Sequence, residues 1–107
     1  MENMEKPQFS VIVSDRARQM LAGHIRFMLQ KSPSGARKAK NDLMAAIRSL
    51  STMPERFPFL YAEFIPINKY HRMFVERWYL ILYQIKDQTV YVEYIVDCRQ
   101  NYGWLLQ

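Results

Sequence analysis

The stretch KYHRMFVERWYLILYQIKDQTVYVEYIVD, residues 69–97, decides the fold, because three runs rich in β-branched and aromatic residues follow one another closely. Each run predicts a β-strand, and the runs cover residues 69–75, 77–86 and 89–97. The chain reverses at Glu76-Arg77 and again at Lys86-Asp87-Gln88. Links this short permit only antiparallel pairing, so the stretch predicts a three-stranded antiparallel meander.

The residues before this stretch predict one more strand and a first helix. Residues 9–13, FSVIV, alternate around apolar side chains and predict a short strand. Ser14 follows directly and is a typical N-cap residue. Apolar residues then recur at helical spacing, which predicts a helix over 15–30.

A second helix follows after a short break. The sequence KSPSG at 31–35 interrupts the first helix, because its proline and glycine disfavour continuation. Ser32 before Pro33 is a typical N-cap, with Ser34 as an alternative, and the periodic apolar residues predict a helix over 34–53. The short break predicts an antiparallel helical hairpin.

The predicted element order is therefore β-α-α-β-β-β, in a single domain over 1–107. This order indicates an α+β fold in which the helical hairpin packs on one face of a small, mainly antiparallel sheet. The other face is exposed or covered by a partner. Residues 54–68 predict an ordered connection rich in proline and aromatic residues, and the aromatic tail at 99–107 is expected to dock on the domain.

Composition narrows the classes of function. Among 107 residues, half are apolar, and one cysteine excludes an internal disulfide and indicates a reducing cytosol. We expect no membrane span, no signal peptide, no metal site and no cofactor, because the chain lacks a long apolar run, a set of metal ligands and a glycine-rich phosphate loop. The predicted location is the cytoplasm.

The positive charge is concentrated in the predicted hairpin. The net charge is +5, yet residues 14–50 contain eight Lys and Arg against two Asp. Such a balance favours anionic partners. Arg37, Lys40 and Arg48 lie beside the apolar stripe of the second helix, where they could follow a phosphate backbone, bind an acidic protein segment or simply be solvated.

An ordered set of short motifs resembles the RelE/ParE family of bacterial type II toxin–antitoxin toxins. The set consists of Pro54-Glu55-Arg56, Arg72 on a strand, WYLILY at 78–83, VYVEYIV at 90–96, and a tail with Asp97-Cys-Arg99, Asn101-Tyr102 and Leu105-Leu106. The resemblance covers the element order of the whole chain. It implies a cytoplasmic toxin that a cognate antitoxin, expected to be acidic, neutralises by wrapping across its surface.

The resemblance leaves two actions open. RelE-like members cleave messenger RNA on the ribosome, whereas ParE-like members bind and poison DNA gyrase without nuclease activity. A third possibility is a degenerate member that only binds its antitoxin. Our first hypothesis from the sequence is ribosome-dependent, metal-free mRNA cleavage, in which the neighbouring 2′-hydroxyl is the nucleophile. The gyrase inhibitor, acting through its helical hairpin, is the second.

The cleavage hypothesis gives each candidate residue a role. By position in the family, Arg72 and Arg99 would stabilise the charge of the transition state, because an arginine fork matches two phosphate oxygens. Tyr102 would orient the reacting hydroxyl or stack on a base. Lys69 would hold phosphate. His71 is a further candidate nucleic-acid contact that could exchange protons, although strand alternation puts His71 and Arg72 on opposite faces. The hypothesis requires the guanidinium groups of Arg72 and Arg99 to converge on the face away from the helices.

Overall fold

A computed structural model of the chain confirms the predicted α+β fold and element order; the structure describes residues 8–63 and 65–99. Its regular elements are β1 (Ser10–Val13), α1 (Asp15–Lys31), α2 (Pro33–Ser49), a 3-10 helix (Pro54–Arg56), β2 (His71–Val75), β3 (Tyr79–Lys86) and β4 (Thr89–Asp97). Within the described residues, neither helix is long and apolar enough to cross a membrane. Phe64 and the tail beyond Arg99, for which docking was predicted, lie outside the described residues.

The four strands form one sheet in the order β1-β4-β3-β2. β2, β3 and β4 pair antiparallel as predicted, whereas β1 pairs parallel with β4. The register between β3 and β4 shifts at Leu82/Tyr83, which leaves Glu93 as an extra, bulged residue in β4. We call the side of the sheet that faces α1 and α2 the helix-side face, and the opposite side the open face.

The helix-side face and the hairpin share one apolar core. Ile81 of β3 and Ile95 of β4 lie directly opposite each other on this face, and both are fully buried. From the hairpin, Ala17 and Leu43 reach the same core and are also fully buried. The small side chain of Ala17 lets α1 approach the sheet closely, and the apolar stripe of α2 covers the rest of the helix-side face.

One residue, Ser32, joins the two helices. Its backbone N–H donates to Met28 O at 2.8 Å and ends α1, while its hydroxyl accepts from Gly35 N at 3.0 Å and begins α2. A Cβ added at Gly35 would lie 3.0 Å from that hydroxyl oxygen, so the cap has little room for a larger residue there. Of the two predicted caps, the structure therefore uses Ser32.

Replacing Ser32 with alanine is expected to lower the free energy of unfolding by about 1 kcal/mol, because the first turn of α2 loses its side-chain acceptor. Urea unfolding followed by circular dichroism measures the effect. Ser34→Ala is the matched control, since Ser34 is exposed and caps no backbone N–H among the described residues, and its effect is expected to stay below about 0.5 kcal/mol. Equal effects at the two serines would contradict this assignment of the cap.

The second helix is shorter than predicted, ending at Ser49 instead of residue 53. Leu50 is the C-cap, and Met53 adopts a left-handed backbone with φ 47° before the 3-10 helix that starts at Pro54. Leu50, Ser51 and Thr52 donate to the carbonyls three residues before them, so the α-helical hydrogen-bond pattern ends before the chain reaches Pro54. The sequence prediction counted Met53 as helical because it matched the apolar spacing.

The connection between the helices and the meander protects one edge of the sheet. Phe59 forms an isolated bridge with His71, and Arg72 N donates to Pro58 O at 2.9 Å along the outer edge of β2. The opposite edge of the sheet is formed by β1. Val11 and Val13 of β1 make no outward backbone hydrogen bond to any part of the chain that the structure describes.

Candidate functional site

Arg72 is an accessible cation on the open face. It lies opposite Leu82 in the register of β2 and β3, and its guanidinium carbon is 5.9 Å from the centre of the exposed Phe74 ring. It forms no ion pair within residues 8–63 and 65–99. The side chain can therefore meet an anion from solution, as the sequence prediction requires.

Arg99 is held by the buried carboxylate of Asp97. Its Nε donates to Asp97 Oδ1 at 3.0 Å and its terminal NH2 donates to Oδ2 at 2.9 Å, which is a two-pronged contact. The backbone N–H of Arg99 adds a third hydrogen bond to Oδ1 at 3.0 Å. The guanidinium also lies 4.9 Å from the centre of the Trp78 ring, so it packs against the end of the β2–β3 hairpin.

Asp97 is ionised because of this arginine. Burial alone raises the pKa of the Asp97 carboxyl, but the hydrogen bonds from the side chain and backbone of Arg99, together with its charge, hold that pKa below its ordinary value. Asp97 faces Tyr79 in the register, and Tyr79 lies 5.7 Å from the buried His24 of α1. The Asp97–Arg99 ion pair therefore lies on the helix-side face of the sheet.

The two arginines do not converge, which corrects the geometry that the cleavage hypothesis requires. Val75 and Tyr79 are paired on the helix-side face, and Arg72 lies three positions before Val75 on the same strand. Because side chains alternate along a strand, Arg72 points to the open face, while Arg99 binds Asp97 on the other face. The two side chains therefore lie on opposite faces of the sheet.

His71 is a core residue, which corrects its prediction as a nucleic-acid contact. Its ring lies 4.2 Å from the ring of Phe59 and stacks at 5.2 Å on Tyr83, and it is buried. His71 Nδ1 lies 2.7 Å from Phe57 O, so this nitrogen carries the proton and donates to the carbonyl. Its position opposite to Arg72 agrees with the alternation predicted from the sequence.

Lys69 ends a row of cations and aromatic rings on the open face. Its ammonium lies 5.3 Å from the Tyr70 ring, which meets Tyr94 edge-on at 5.8 Å, and Arg16 of α1 stacks 4.8 Å from Tyr94. The Tyr70 hydroxyl donates to Glu93 at 3.0 Å, and burial together with this carboxylate raises the pKa of Tyr70. Lys69 and Arg16 therefore flank a tyrosine pair rather than a proton-transfer group. Tyr102, the third predicted catalytic residue, lies outside the described residues.

A second basic surface lies on the helical hairpin. A groove of about 360 Å³ runs between the helices there, and we call it the hairpin groove; its lining residues are Arg18, Leu21, Ala22, Ile25, Arg26 and Lys40. Its floor is apolar and its rim carries three cations. Of the predicted stripe on α2, only Lys40 reaches this groove, while Arg37 and Arg48 are exposed on α2 but do not line it.

The cations of the hairpin groove are not neutralised by the part of the chain that the structure describes. The two acidic residues of the hairpin are Asp15 and Asp42, and Asp42 binds Lys38 at 2.7 Å. Lys38 also binds Glu76 of the β2–β3 turn. Sequence reasoning missed Arg26 as a site residue, because the alignment of α1 beside α2 cannot be deduced from either helix alone.

The described residues contain no cluster of side chains that could bind a metal ion. Across residues 8–63 and 65–99, no three His, Cys, Asp or Glu side chains lie close enough together to share a metal ion. The buried histidines are used elsewhere, as His24 Nε2 lies 2.7 Å from Ile95 O and His71 binds Phe57 O.

Comparisons with known proteins identify the family. The sequence profile described as "ParE toxin of type II toxin-antitoxin system, parDE" matches residues 11–102. Among solved structures, the fold is similar to one titled "Chromosomal ParDE TA system from P. aeruginosa", with a TM-score of 0.70, 15% identity, and coverage of 86% of this chain and 98% of that chain. No curated protein sequence matches the chain. The structural similarity shows the shared fold, and the profile match spans most of the sequence. The chain therefore belongs to the ParE toxin family of type II toxin–antitoxin systems.

Proposed function

We propose that this toxin inhibits DNA gyrase by binding it, without catalysing a reaction. Membership of a toxin–antitoxin family implies an antitoxin as partner. Within the wider RelE/ParE group, the choice is between cutting mRNA and poisoning gyrase. The profile match is to the ParE side, whose members act on gyrase.

The separation of Arg72 from Arg99 is the observation that carries the proposal. Metal-free RNA cleavage needs cations around one phosphate and a group that removes the 2′-hydroxyl proton. Among the described residues, the two arginines occupy opposite faces, and His71, a candidate base, is stacked in the core with its Nδ1 proton bound to a carbonyl. Such an arrangement suits a protein that acts through its surface.

The test is a gyrase supercoiling assay with the purified full-length toxin. We expect the toxin to block the supercoiling of relaxed plasmid at a concentration comparable with that of gyrase, since a binding inhibitor acts in proportion to the complex formed. Addition of the antitoxin should restore activity. A type I topoisomerase, which should be unaffected, is the control for non-specific binding of a basic protein to DNA.

A parallel reaction tests the alternative. The same toxin preparation is added to a translation extract that contains a labelled mRNA, and intact transcript is expected. Cut transcripts together with undisturbed supercoiling, at a tenfold molar excess of toxin over gyrase, would refute the proposal and support ribosome-dependent cleavage.

A further inference from the structure

We propose that the outer edge of β1 receives an extended segment of the antitoxin, which joins the sheet as a fifth strand. An antitoxin is the partner that membership of this family implies. The inference goes beyond the proposed action on gyrase and does not depend on it, because it concerns how the antitoxin binds the toxin. It adds the place where that partner pairs and the chemistry of the segment that pairs there.

The backbone of β1 uses one of its two sides to pair with β4. Ser10 N and Ser14 N donate at 2.9 Å to the carbonyl oxygens of residues 88 and 92, so the even-numbered residues face β4. Successive backbone groups of a strand point to opposite sides, so the N–H and C=O groups of Val11 and Val13 point outward. Neither residue makes an outward hydrogen bond within residues 8–63 and 65–99. This β1 edge therefore offers two donors and two acceptors to another strand.

The sequence of β1 does not protect this edge. Sheet edges in monomeric proteins are commonly blocked by charged side chains, by proline or by a covering segment. β1 has the sequence SVIV, with neither a charge nor a proline. A covering segment is present at Phe9, whose N–H donates to Ser51 O at 2.8 Å, but no such bond from the described residues reaches Val11 or Val13. Another chain can therefore continue the ladder where the loop after α2 stops covering it.

A cavity beside the β1 edge can receive a side chain of the added strand. It has a volume of about 390 Å³, and its lining residues are Ile12, Ser14, Arg16, Tyr91, Val92 and Glu93. Val11 and Val13 pack against the core, so Ile12 between them points to the open face, where it is 48% exposed. Ile12 lies opposite Tyr91 in the register. An apolar side chain of the partner laid beside Ile12 would remove both from water.

The charges of this cavity select an acidic segment. Glu93 already accepts a hydrogen bond from the Tyr70 hydroxyl at 3.0 Å. Arg16 is exposed, gives one N–H to the Tyr94 hydroxyl and forms no ion pair with the described residues, so its other N–H groups are available to a carboxylate. Alternate residues of a strand share a face. The matching segment therefore has an apolar residue beside Ile12 and an aspartate or glutamate two positions away, toward Arg16.

Other occupants match the β1 edge less well. The toxin has a net charge of +5 and its antitoxin is expected to be acidic, so their charges are complementary. A second copy of the toxin would bring two such positive chains together through a short edge. A nucleic acid strand would bind Arg16 but would leave Ile12 and the outward backbone groups unmatched.

Amide hydrogen exchange, followed by NMR on the full-length toxin with and without the purified cognate antitoxin, tests the pairing directly. We expect the N–H groups of Val11 and Val13 to exchange at least about a hundredfold more slowly in the complex, because they become bonded to the added strand. The N–H of Ile12, which faces β4, should be protected in both states and is the internal control. Unchanged exchange of Val11 and Val13 in the complex would overturn the inference.

A matched pair of variants tests the apolar contact. Ile12→Glu is expected to weaken binding of the antitoxin at least about tenfold, because the apolar contact is lost and the new carboxylate faces an acidic segment. Ile67→Glu is the same substitution at an isoleucine that is 79% exposed and does not line the cavity, and its effect should stay below about threefold. Titration of labelled toxin with antitoxin measures both, and circular dichroism confirms that the variants fold. Equal losses would contradict the proposed contact.

A second pair of variants tests the charge. Arg16→Glu should weaken the antitoxin at least about tenfold, because a charged hydrogen-bond partner is replaced by a like charge. An acidic residue is tolerated in the first turn of α1, so the fold should persist. Arg37→Glu, at an exposed position of α2 outside the cavity, is the control and should cost less than about threefold. Losses of equal size would refute the acidic segment assigned to this edge.

The outcomes separate this inference from the proposed function, since antitoxin binding is measured without gyrase. If the toxin does not inhibit gyrase, the proposed function fails and the inference stands on its own measurements. The inference fails if Val11 and Val13 are already protected in the dilute free toxin, which would mean that the chain covers its own edge. It also fails if their protection rises with toxin concentration alone, or if gyrase protects them and the antitoxin does not.

Discussion

Replacing Arg99 with alanine is expected to lower the free energy of unfolding by about 2–3 kcal/mol. The side chain of Asp97 is 3% exposed and accepts the two-pronged contact from Arg99. Removing one partner of a buried pair costs roughly 3–5 kcal/mol, because the remaining charge is stranded away from water. We expect a smaller loss of stability for Arg99→Ala than this range, since the Arg99 side chain is 37% exposed and water partly screens its contact with Asp97.

Urea unfolding at neutral pH measures this effect, and Arg72→Ala is the matched control. Arg72 forms no ion pair with the described residues, so its replacement is expected to change stability by less than about 0.5 kcal/mol. Equal losses for the two arginine variants would contradict the structure of the Asp97–Arg99 pair.

The same pair predicts an acid dependence of stability. The pKa of Asp97 is lower in the folded chain than in the unfolded one, so the unfolded state binds the proton more readily. The stabilisation from the Asp97–Arg99 pair is therefore fully present above about pH 4, near the ordinary carboxyl pKa. It is lost as the pH falls through the pKa of Asp97 in the folded chain. The difference between wild type and Arg99→Ala should shrink over that acid range. A difference that stays constant would show that the carboxylate is not the cause.

A Leu43→Ala substitution is expected to lower the free energy of unfolding by about 3–4 kcal/mol, more than the loss expected for Arg99→Ala. Leu43 is fully buried at the centre of the α2 stripe, where it meets the core of the helix-side face. Truncation loses the transfer free energy of the removed methyl groups and leaves a cavity that the sheet below cannot fill. For a domain of this size, with a stability of about 5–15 kcal/mol, a large part of the total would be lost.

The neighbouring Met44→Ala variant controls for changes in helix propensity. Met44 is on the exposed side of the same turn, 37% exposed, so its removal should cost less than about 1 kcal/mol. Thermal and urea unfolding of both variants provide the comparison. A Leu43→Ala variant as stable as Met44→Ala would mean that α2 does not pack on the sheet at this position.

Local patterns predicted the elements well, because each is encoded by neighbouring residues. The strand predicted over 89–97 has the same bounds as β4, and Ser14 caps α1 as predicted through a bond from Ala17 N at 3.0 Å. The predicted end of α2 at residue 53 was wrong because the backbone after Ser49 forms hydrogen bonds to the third residue back and not to the fourth. The strand predicted over 69–75 includes Lys69 and Tyr70, which lie outside β2, since the run of strand-forming residues begins before the pairing with β3 does.

The candidate site was harder to predict, because it depends on contacts between distant parts of the chain. Nothing local indicates that β1 joins β4, or that a tyrosine and a phenylalanine enclose His71. Alternation correctly separated His71 from Arg72, but it could not show that Arg99, beyond the last strand, turns back to Asp97. The hairpin groove combines Arg18 and Arg26 of α1 with Lys40 of α2, and only the packing of the two helices brings them together.

The single-residue joint at Ser32 bears on how tightly the toxin can bind. With one residue ending α1 and beginning α2, neither helix can slide or rotate without breaking a cap of the other. The side chains on both helices are thus arranged before any partner arrives, and little backbone entropy is lost when a complex forms. One or two glycines inserted after Ser32 would create slack, which should weaken association mainly through faster dissociation while the isolated helices persist.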